Sequence, residues 1–276
     1  MSQIGIIGAG TMGEGVAHCL LEYGLDVILH DIMPSALERA EVNIEKKIRI
    51  NQMMSPKKDN SNGNLELSTD LNAVSNVSVI IENIIEDVNA KKTVYKLLDG
   101  VCKRDCIYMV NTSCISITEI ASVTNRQDKV IGTHFMNPVH MIKAVEIIRG
   151  FYTSEETIKE TIDFMNKIEK ESIVVNDYPG FVSNRISHLM MNEAAFLVQD
   201  NVATPEDIDN IFKKCYGHKM GPLETADLIG IDTVVYSLEV LYNSYQDTKF
   251  RCCPLLKKMV NANLLGRKTK KGFYEY

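Results

Sequence analysis

Three polar segments stand where the surrounding pattern calls for apolar strand or strand end. Asn111-Thr112-Ser113 follows the apolar run Cys106–Val110, His134 lies near the end of VIGTHFMNP, and Glu146 interrupts Ala144-Val145-Glu146-Ile147-Ile148. The residue types suggest proton transfer. Oxidation of a secondary alcohol by hydride loss needs a base for the hydroxyl proton, and histidine suits that task near neutral pH. A carboxylate beside the imidazole would orient the ring and favour its charged form. Taken singly, His134 also reads as a hydrogen-bonded core histidine, and Glu146 as a side chain facing solvent from a half-buried strand.

A second group concerns phosphate. Gly8-Ala9-Gly10-Thr11-Met12-Gly13 follows the compact apolar run Ile4–Ile7 and opens a helical pattern reaching about Tyr23, closed by Gly24. Gly8 permits a tight turn, Gly10 lets the backbone approach a pyrophosphate, and Gly13 allows close helix–strand packing. The amides at Thr11, Met12 and Gly13 then face an anion with the positive end of the helix dipole. A dinucleotide site needs an acidic residue about 20 residues on, at the end of the second strand, for the ribose hydroxyls. Asp31 stands 18 residues after Gly13, closing DVILHD. Its carboxylate would repel a 2′-phosphate, and no arginine follows to compensate, so NAD is expected rather than NADP.

The elements that must carry these groups alternate. Strands are expected at Ile4–Ile7, Asp26–His30, Val77–Ile81, Cys106–Val110, Val130–Phe135 and Ala144–Ile148. Helices are expected after Gly8, from Pro34 or Ser35 (apolar Leu37, Ala40, Ile44 and Ile48), over Asp87–Val101 and over Thr157–Ile168. Asn51–Asn64 is polar and turn-rich and reads as a loop or a frayed excursion. The alternation implies a doubly wound α/β sheet, parallel and covered by helices on both faces, with ligands outside the carboxyl ends of the strands. After Tyr178-Pro179-Gly180 the pattern is almost wholly helical. Two domains are expected: a Rossmann-type nucleotide-binding domain over 1–181 and a mainly α-helical domain over 182–276.

Composition narrows the classes. The 276 residues are 45% apolar and 24% charged, with a formal net charge of −6, which argues against a nucleic-acid surface and does not favour a membrane one. No apolar run approaches the roughly 18 residues of a transmembrane helix. MSQIGIIGAGTMG has neither basic flank nor cleavage site of a signal peptide. Seven scattered cysteines without C-x-x-C spacing, and six histidines without H-x-x-x-H, suggest no metal site and a reducing compartment. A cytoplasmic globular protein is the expectation.

Taken in order, GIIGAGTMGEGVA, IIENIIEDVNAKK, NTSCISITEIA, DKVIGTHFMNPVH, KAVEIIRG, YPGFVSNRI, MGPLETADLIGID and LLGRKTKKGFYEY resemble the 3-hydroxyacyl-CoA dehydrogenase family, nearest its bacterial 3-hydroxybutyryl-CoA branch. The resemblance spans residues 2–276. It implies an NAD-dependent oxidoreductase interconverting a 3-hydroxyacyl thioester and its 3-oxoacyl form, the (S)-alcohol being the family's hand. It assigns the catalytic histidine to His134, its glutamate to Glu146, and substrate-aligning hydrogen bonds to Ser113 and Asn184. Glu82 and Lys91 match positions near the cofactor, though both also read as surface or capping groups. The C-terminal part resembles the family's dimerisation and substrate domain, which implies a homodimer with its active site in the cleft between domains.

Departures from the family pattern bear on the substrate. Asn83 replaces a small residue, Cys114 a second serine, Met136 a phenylalanine and His140 an apolar residue. Asn83 and His140 add polar capacity where an acyl chain would meet apolar walls; neutral drift explains them equally well. Lys46, Lys47, Arg49, Lys57 and Lys58 suit the phosphates of CoA, the arm and acidic surface of an acyl carrier protein, or plain solvent. Three readings follow. The first is a short-chain 3-hydroxyacyl-CoA dehydrogenase. The second applies the same chemistry to a polar acyl group, such as glyceryl, on a carrier protein in antibiotic or polyketide assembly. The third is a non-enzymatic relative like lens λ-crystallin, which the retained Ser113, His134, Glu146 and Asn184 disfavour.

Overall fold

A computed structural model describes residues 3–54 and 62–276. The chain divides into two compact units, residues 1–177 and 178–276. The first begins β1 (Ile4–Ile7), α1 (Thr11–Glu22), β2 (Val27–His30), α2 (Pro34–Met54), β3 (Leu65–Ser68) and β4 (Val79–Glu82). It continues through α3 (Val88–Val101), β5 (Ile107–Val110), α4 (Ile117–Ala121), β6 (Val130–Phe135), β7 (Ala144–Arg149), α5 (Glu155–Lys167) and β8 (Glu171–Asn176). One sheet runs in the order β3-β2-β1-β4-β5-β6-β7-β8. Leaving β1 for β2 on one side and β4 on the other makes a crevice at the carboxyl end of β1, the place where doubly wound sheets bind ligands.

Both faces of the sheet are apolar because both are covered. Ile6, Leu29, Ile81, Met109 and Ile131 point to one side and pack with Val16, Leu20, Ala40, Ile44 and Met165 of α1, α2 and α5. On the opposite face Tyr108 of β5 meets Tyr95 of α3, ring centroids 5.5 Å apart. Side-chain caps start several helices: Asp87 accepts from Ala90 N, Ser116 from Glu119 N and Ser154 from Thr157 N.

Several expectations change. All strand pairs are parallel except β6–β7, which is antiparallel. Only residues 136–143 join these two strands, too few for a crossover helix, so β7 returns beside β6. The loop or frayed excursion expected over Asn51–Asn64 begins as helix, through Met54, because no glycine or proline follows Pro34 until Pro56 to stop α2. The edge strands β3 and β8 and the short α4 were not anticipated. Leu65-Glu66-Leu67-Ser68 and Glu171–Asn176 are only partly buried, so neither carries the apolar block that marks the central strands.

The second unit is helical: α6 (Ser183–Gln199), α7 (Pro205–Cys215), α8 (Pro222–Ile229), α9 (Ile231–Tyr245) and α10 (Pro254–Asn261). Met191, Ala195, Leu223, Val234, Leu238 and Leu256 form its core. Two buried carboxylates tie it together. Asp209 accepts from Leu223 N and Glu224 N at the start of α8, and Asp227 from Phe273 N and Tyr274 N of the tail. No helix among the described residues is long and apolar enough to cross a membrane.

The turn from β1 into α1 is the tightest point of the nucleotide-binding frame. A Cβ on Gly13 would stand 1.8 Å from the carbonyl oxygen of Gly8, a clash with backbone that no rotamer relieves. Gly13→Ala is therefore expected to lower stability by about 3 kcal/mol, read as a fall in the urea midpoint.

Candidate active site

The glycine-rich turn is shaped by two close approaches and one opening. Gly8 has φ +98°, and a Cβ there would come within 2.7 Å of the Asn83 carbonyl oxygen. Gly8 N donates to His30 O at 2.7 Å, and Asn83 N to Ile7 O at 2.7 Å, locking the turn between β2 and β4. Around Gly10, by contrast, a Cβ would meet nothing within 4 Å. That open face adjoins the first turn of α1, where Gly10 provides no side-chain cap and the leading amides have no intrahelical acceptor.

Asp31 closes the crevice. Its Oδ2 accepts from Ala9 N at 2.7 Å and its Oδ1 from Met33 N at 2.9 Å, which fixes the carboxylate beside the glycine turn. A cavity of about 960 Å³ runs along this edge, lined by Gly8, Gly10, Thr11, Met12 and Asp31, by Ile32, Met33, Val94 and Leu97, and by Glu86, Asn111 and Ser113. An anion cradle, a carboxylate placed for vicinal hydroxyls and apolar walls suit a dinucleotide in shape and in donor set. NAD is the cofactor these residues fit.

At the other end of the sheet edge, the antiparallel register sets His134 directly opposite Glu146. Nδ1 of His134 lies 2.8 Å from Oε2 of Glu146, with both residues buried. The solvent-facing alternative for Glu146 is thereby excluded. Since an ionised carboxylate only accepts, Nδ1 carries the proton, leaving Nε2 as the ring's basic nitrogen. The backbone beside the histidine is held as well. Phe135 N donates to Asn111 Oδ1 at 3.2 Å, and Asn111 Nδ2 to Asn83 Oδ1 at 2.6 Å.

The Asn111-Thr112-Ser113 turn is organised by a residue that sequence reasoning missed. Glu86 Oε1 accepts from Thr112 Oγ1 at 2.6 Å, from Ser113 N at 2.7 Å and from Cys114 N at 3.2 Å. Half-buried and facing the cavity, Glu86 stands four residues after Glu82 and just ahead of the Asp87 cap. The E-x-x-x-E-D spacing was its only signal. Burial, and then the Glu86 carboxylate, push the Cys114 thiol up to about 12, so the residue at the second-serine position stays an uncharged thiol.

Glu82 and Lys91 lie one layer below the cavity surface. Both are fully buried beneath the cavity wall, with Lys91 Nζ 2.7 Å from Glu82 Oε1 and 2.9 Å from Asn111 O. Neither lines the cavity itself, though Lys91 also lies 3.8 Å from Glu86, which does; the pair braces the ends of β4 and β5. Burial raises the Glu82 carboxyl, with Lys91 pulling it back.

Asn83 borders the cavity, but its amide is engaged by the protein. Nδ2 donates to Ile81 O at 3.0 Å while Oδ1 accepts from Asn111. The ring of His140 packs edge-on against His18 of α1, centroids 5.5 Å apart. Lys46 is exposed on α2, and Lys57 lies outside the described residues. Asn184 sits in the first turn of α6, in the second unit, where its carbonyl accepts from His188 Nδ1. Among the described residues no group of histidine, cysteine and carboxylate side chains could hold a metal ion.

Comparison with known proteins places this geometry. Residues 3–178 match the 3-hydroxyacyl-CoA dehydrogenase NAD-binding domain, and residues 180–276 the C-terminal domain of the same family. A 3-hydroxybutyryl-CoA dehydrogenase of Clostridioides difficile is 44% identical, with 99% of each chain covered. A probable 3-hydroxybutyryl-CoA dehydrogenase of Bacillus subtilis is 41% identical over 100% of this chain and 98% of its own. The crystal structure of (S)-3-hydroxybutyryl-CoA dehydrogenase PaaH1 from Ralstonia eutropha superposes with a TM-score of 0.95 at 36% identity, covering 100% and 99% of the two chains.

The buried brace gives a pH-dependent test. Lys91→Met strands the Glu82 carboxylate without its cation, which costs about 3–5 kcal/mol at neutral pH. The carboxyl then binds a proton more tightly folded than unfolded, so stability is lost as pH rises from the unfolded carboxyl range up through the higher folded one. The deficit against the parent protein, measured by urea unfolding, is expected to be smaller near pH 5 than near pH 8.

Proposed function

The chain belongs to the 3-hydroxyacyl-CoA dehydrogenase family, and we propose that it interconverts a short-chain (S)-3-hydroxyacyl-CoA, such as 3-hydroxybutyryl-CoA, and its 3-oxoacyl form. It is an NAD-dependent oxidoreductase; NAD, when bound, supplies or accepts the hydride. The observation that carries the reading is the His134–Glu146 pair, 2.8 Å apart and buried beside the carboxyl ends of the strands.

In the oxidising direction Nε2 of His134 takes the proton of the 3-hydroxyl while the C–H bond at C3 breaks. In reduction it returns that proton to the developing alkoxide. Glu146, fixed on Nδ1, holds the tautomer and stabilises the imidazolium while the proton resides on the ring. Ser113 hydrogen-bonds the reacting oxygen, and by its family motif Asn184 aligns the thioester carbonyl; such alignment lowers the entropic part of the barrier. Gly8, Gly10, Thr11, Met12 and Gly13 form the pyrophosphate cradle and Asp31 binds the ribose hydroxyls. Residues 1–181 thus supply cofactor and proton chemistry, and residues 182–276 the dimerisation and substrate part. Ile186, Ile211 and Tyr236 of that part are exposed, which supports a homodimer.

The substrate choice follows from what the polar departures do. Asn83 spends its amide on Ile81 and Asn111, so it lends no support to a polar acyl group on a carrier protein. The CoA thioester is the reading retained, with Lys46 among the basic groups suited to its phosphates.

Oxidation of NADH by the purified protein with acetoacetyl-CoA, and NADPH as control, tests the assignment. Rapid turnover with NADH and little with NADPH is expected. His134→Gln should keep NADH binding and lose about 10²–10⁴-fold in kcat. Protein that binds NADH yet leaves acetoacetyl-CoA unreduced would overturn the substrate, and near-normal turnover by folded His134→Gln would overturn the base.

A further inference from the structure

We propose that Lys170 is a positioning residue for the His134–Glu146 pair, an inference resting on the proton-transfer role given above. The pair occupies the second rung from the open end of the β6–β7 ladder: beyond His134↔Glu146 there is only Phe135↔Val145 before the strands part. End rungs are where ladders fray. Something must hold residues 136–143, which close that end, if the carboxylate is to stay on Nδ1.

Lys170 directly precedes β8, whose first residue pairs with the first residue of β7, Glu171 with Ala144. Its ammonium crosses to the connector and donates to two carbonyls there, Val139 O at 2.5 Å and Ile142 O at 2.8 Å. Glu171 N meanwhile donates to Lys143 O at 2.9 Å. The lysine is only 5% exposed. Burying an ammonium is costly unless strong acceptors compensate, so a cation committed to two main-chain oxygens of one short turn is a specific clamp. On the α1 side the connector is held by packing: Val139 is buried, a Cβ on Gly15 would meet its Cγ2 at 3.2 Å, and the His140 ring lies edge-on to His18. Such contact resists compression without fixing a register. The two directional bonds from Lys170 set where the turn sits along β8, and with it how far Glu146 lies from the imidazole.

Lys170→Met in the full chain tests the clamp. Expected are unchanged NADH binding and KM for acetoacetyl-CoA, a fall in kcat of about 10- to 100-fold, and partial rescue by Lys170→Arg. The downfield proton signal of His134 Nδ1–H, identified by its loss in Glu146→Gln, should weaken in Lys170→Met. That signal is read without turnover, so it tests the clamp even if wild-type protein fails to reduce acetoacetyl-CoA and the functional reading falls. A kcat and a signal like those of wild type overturn the proposal, as does a loss of kcat with the signal intact. If Lys170→Met does not fold, Lys170→Gln, which keeps one donor, is read the same way. Failure of both to fold overturns the proposal, since Lys170 would then hold the domain and not the pair.

Discussion

The antiparallel rung that faces His134 with Glu146 is the constraint on which the site depends. Every other pair in the eight-stranded sheet is parallel, and parallel neighbours are joined through long crossovers that leave their residues in slanted register. Reversing β7 against β6 brings two residues twelve positions apart face to face, with side chains on the same side of the sheet. The short connector that forces the reversal is therefore as much part of the chemistry as the residues it joins. Its geometry fixes which ring nitrogen faces the carboxylate.

Around that rung the protein accumulates buried polar groups, each of which would cost stability if left without partners. Many of them are bonded in chains. Lys91 bridges Glu82 and the carbonyl of Asn111, whose side chain reaches Asn83 and the amide of Phe135, the residue after His134. Glu86 gathers the hydroxyl and amides of the following turn. The carboxyl ends of β4, β5 and β6 are thus linked through side chains beyond the backbone ladder. A site built this way is preorganised, because moving one member breaks hydrogen bonds in the next.

The cofactor end obeys simpler rules. Gly8 and Gly13 are required by main chain within 3 Å of where a side chain would begin, while Gly10 faces open space. Two of the three glycines are needed by the fold itself, and the third leaves room for a ligand. Asp31 combines the two tasks, since its carboxylate already braces the turn through Ala9 N.

Much of this was legible in the sequence. The central strands, the flanking helices and the glycine fingerprint show in local pattern, because fully buried strands must be apolar and a tight turn must be glycine. His134 and Glu146 stood out as polar interruptions of such runs, and the ordered family motifs named their roles. Local pattern could not show that Glu146 points inward, that the Asn83 amide is bonded to Ile81 and Asn111, or that Glu86 and not Glu82 borders the cavity. Glu82 and Glu86 are the same residue type four positions apart; only the end of β4 and the start of α3 decide which is sealed and which is open. The edge strands β3 and β8 were invisible for a related reason, since a half-exposed strand carries little apolar signal. Residue type and spacing determined which chemistry this chain can perform. Strand order, register and burial decided which copies of those residues meet, because a hydrogen bond depends on distance in space and not on separation along the chain.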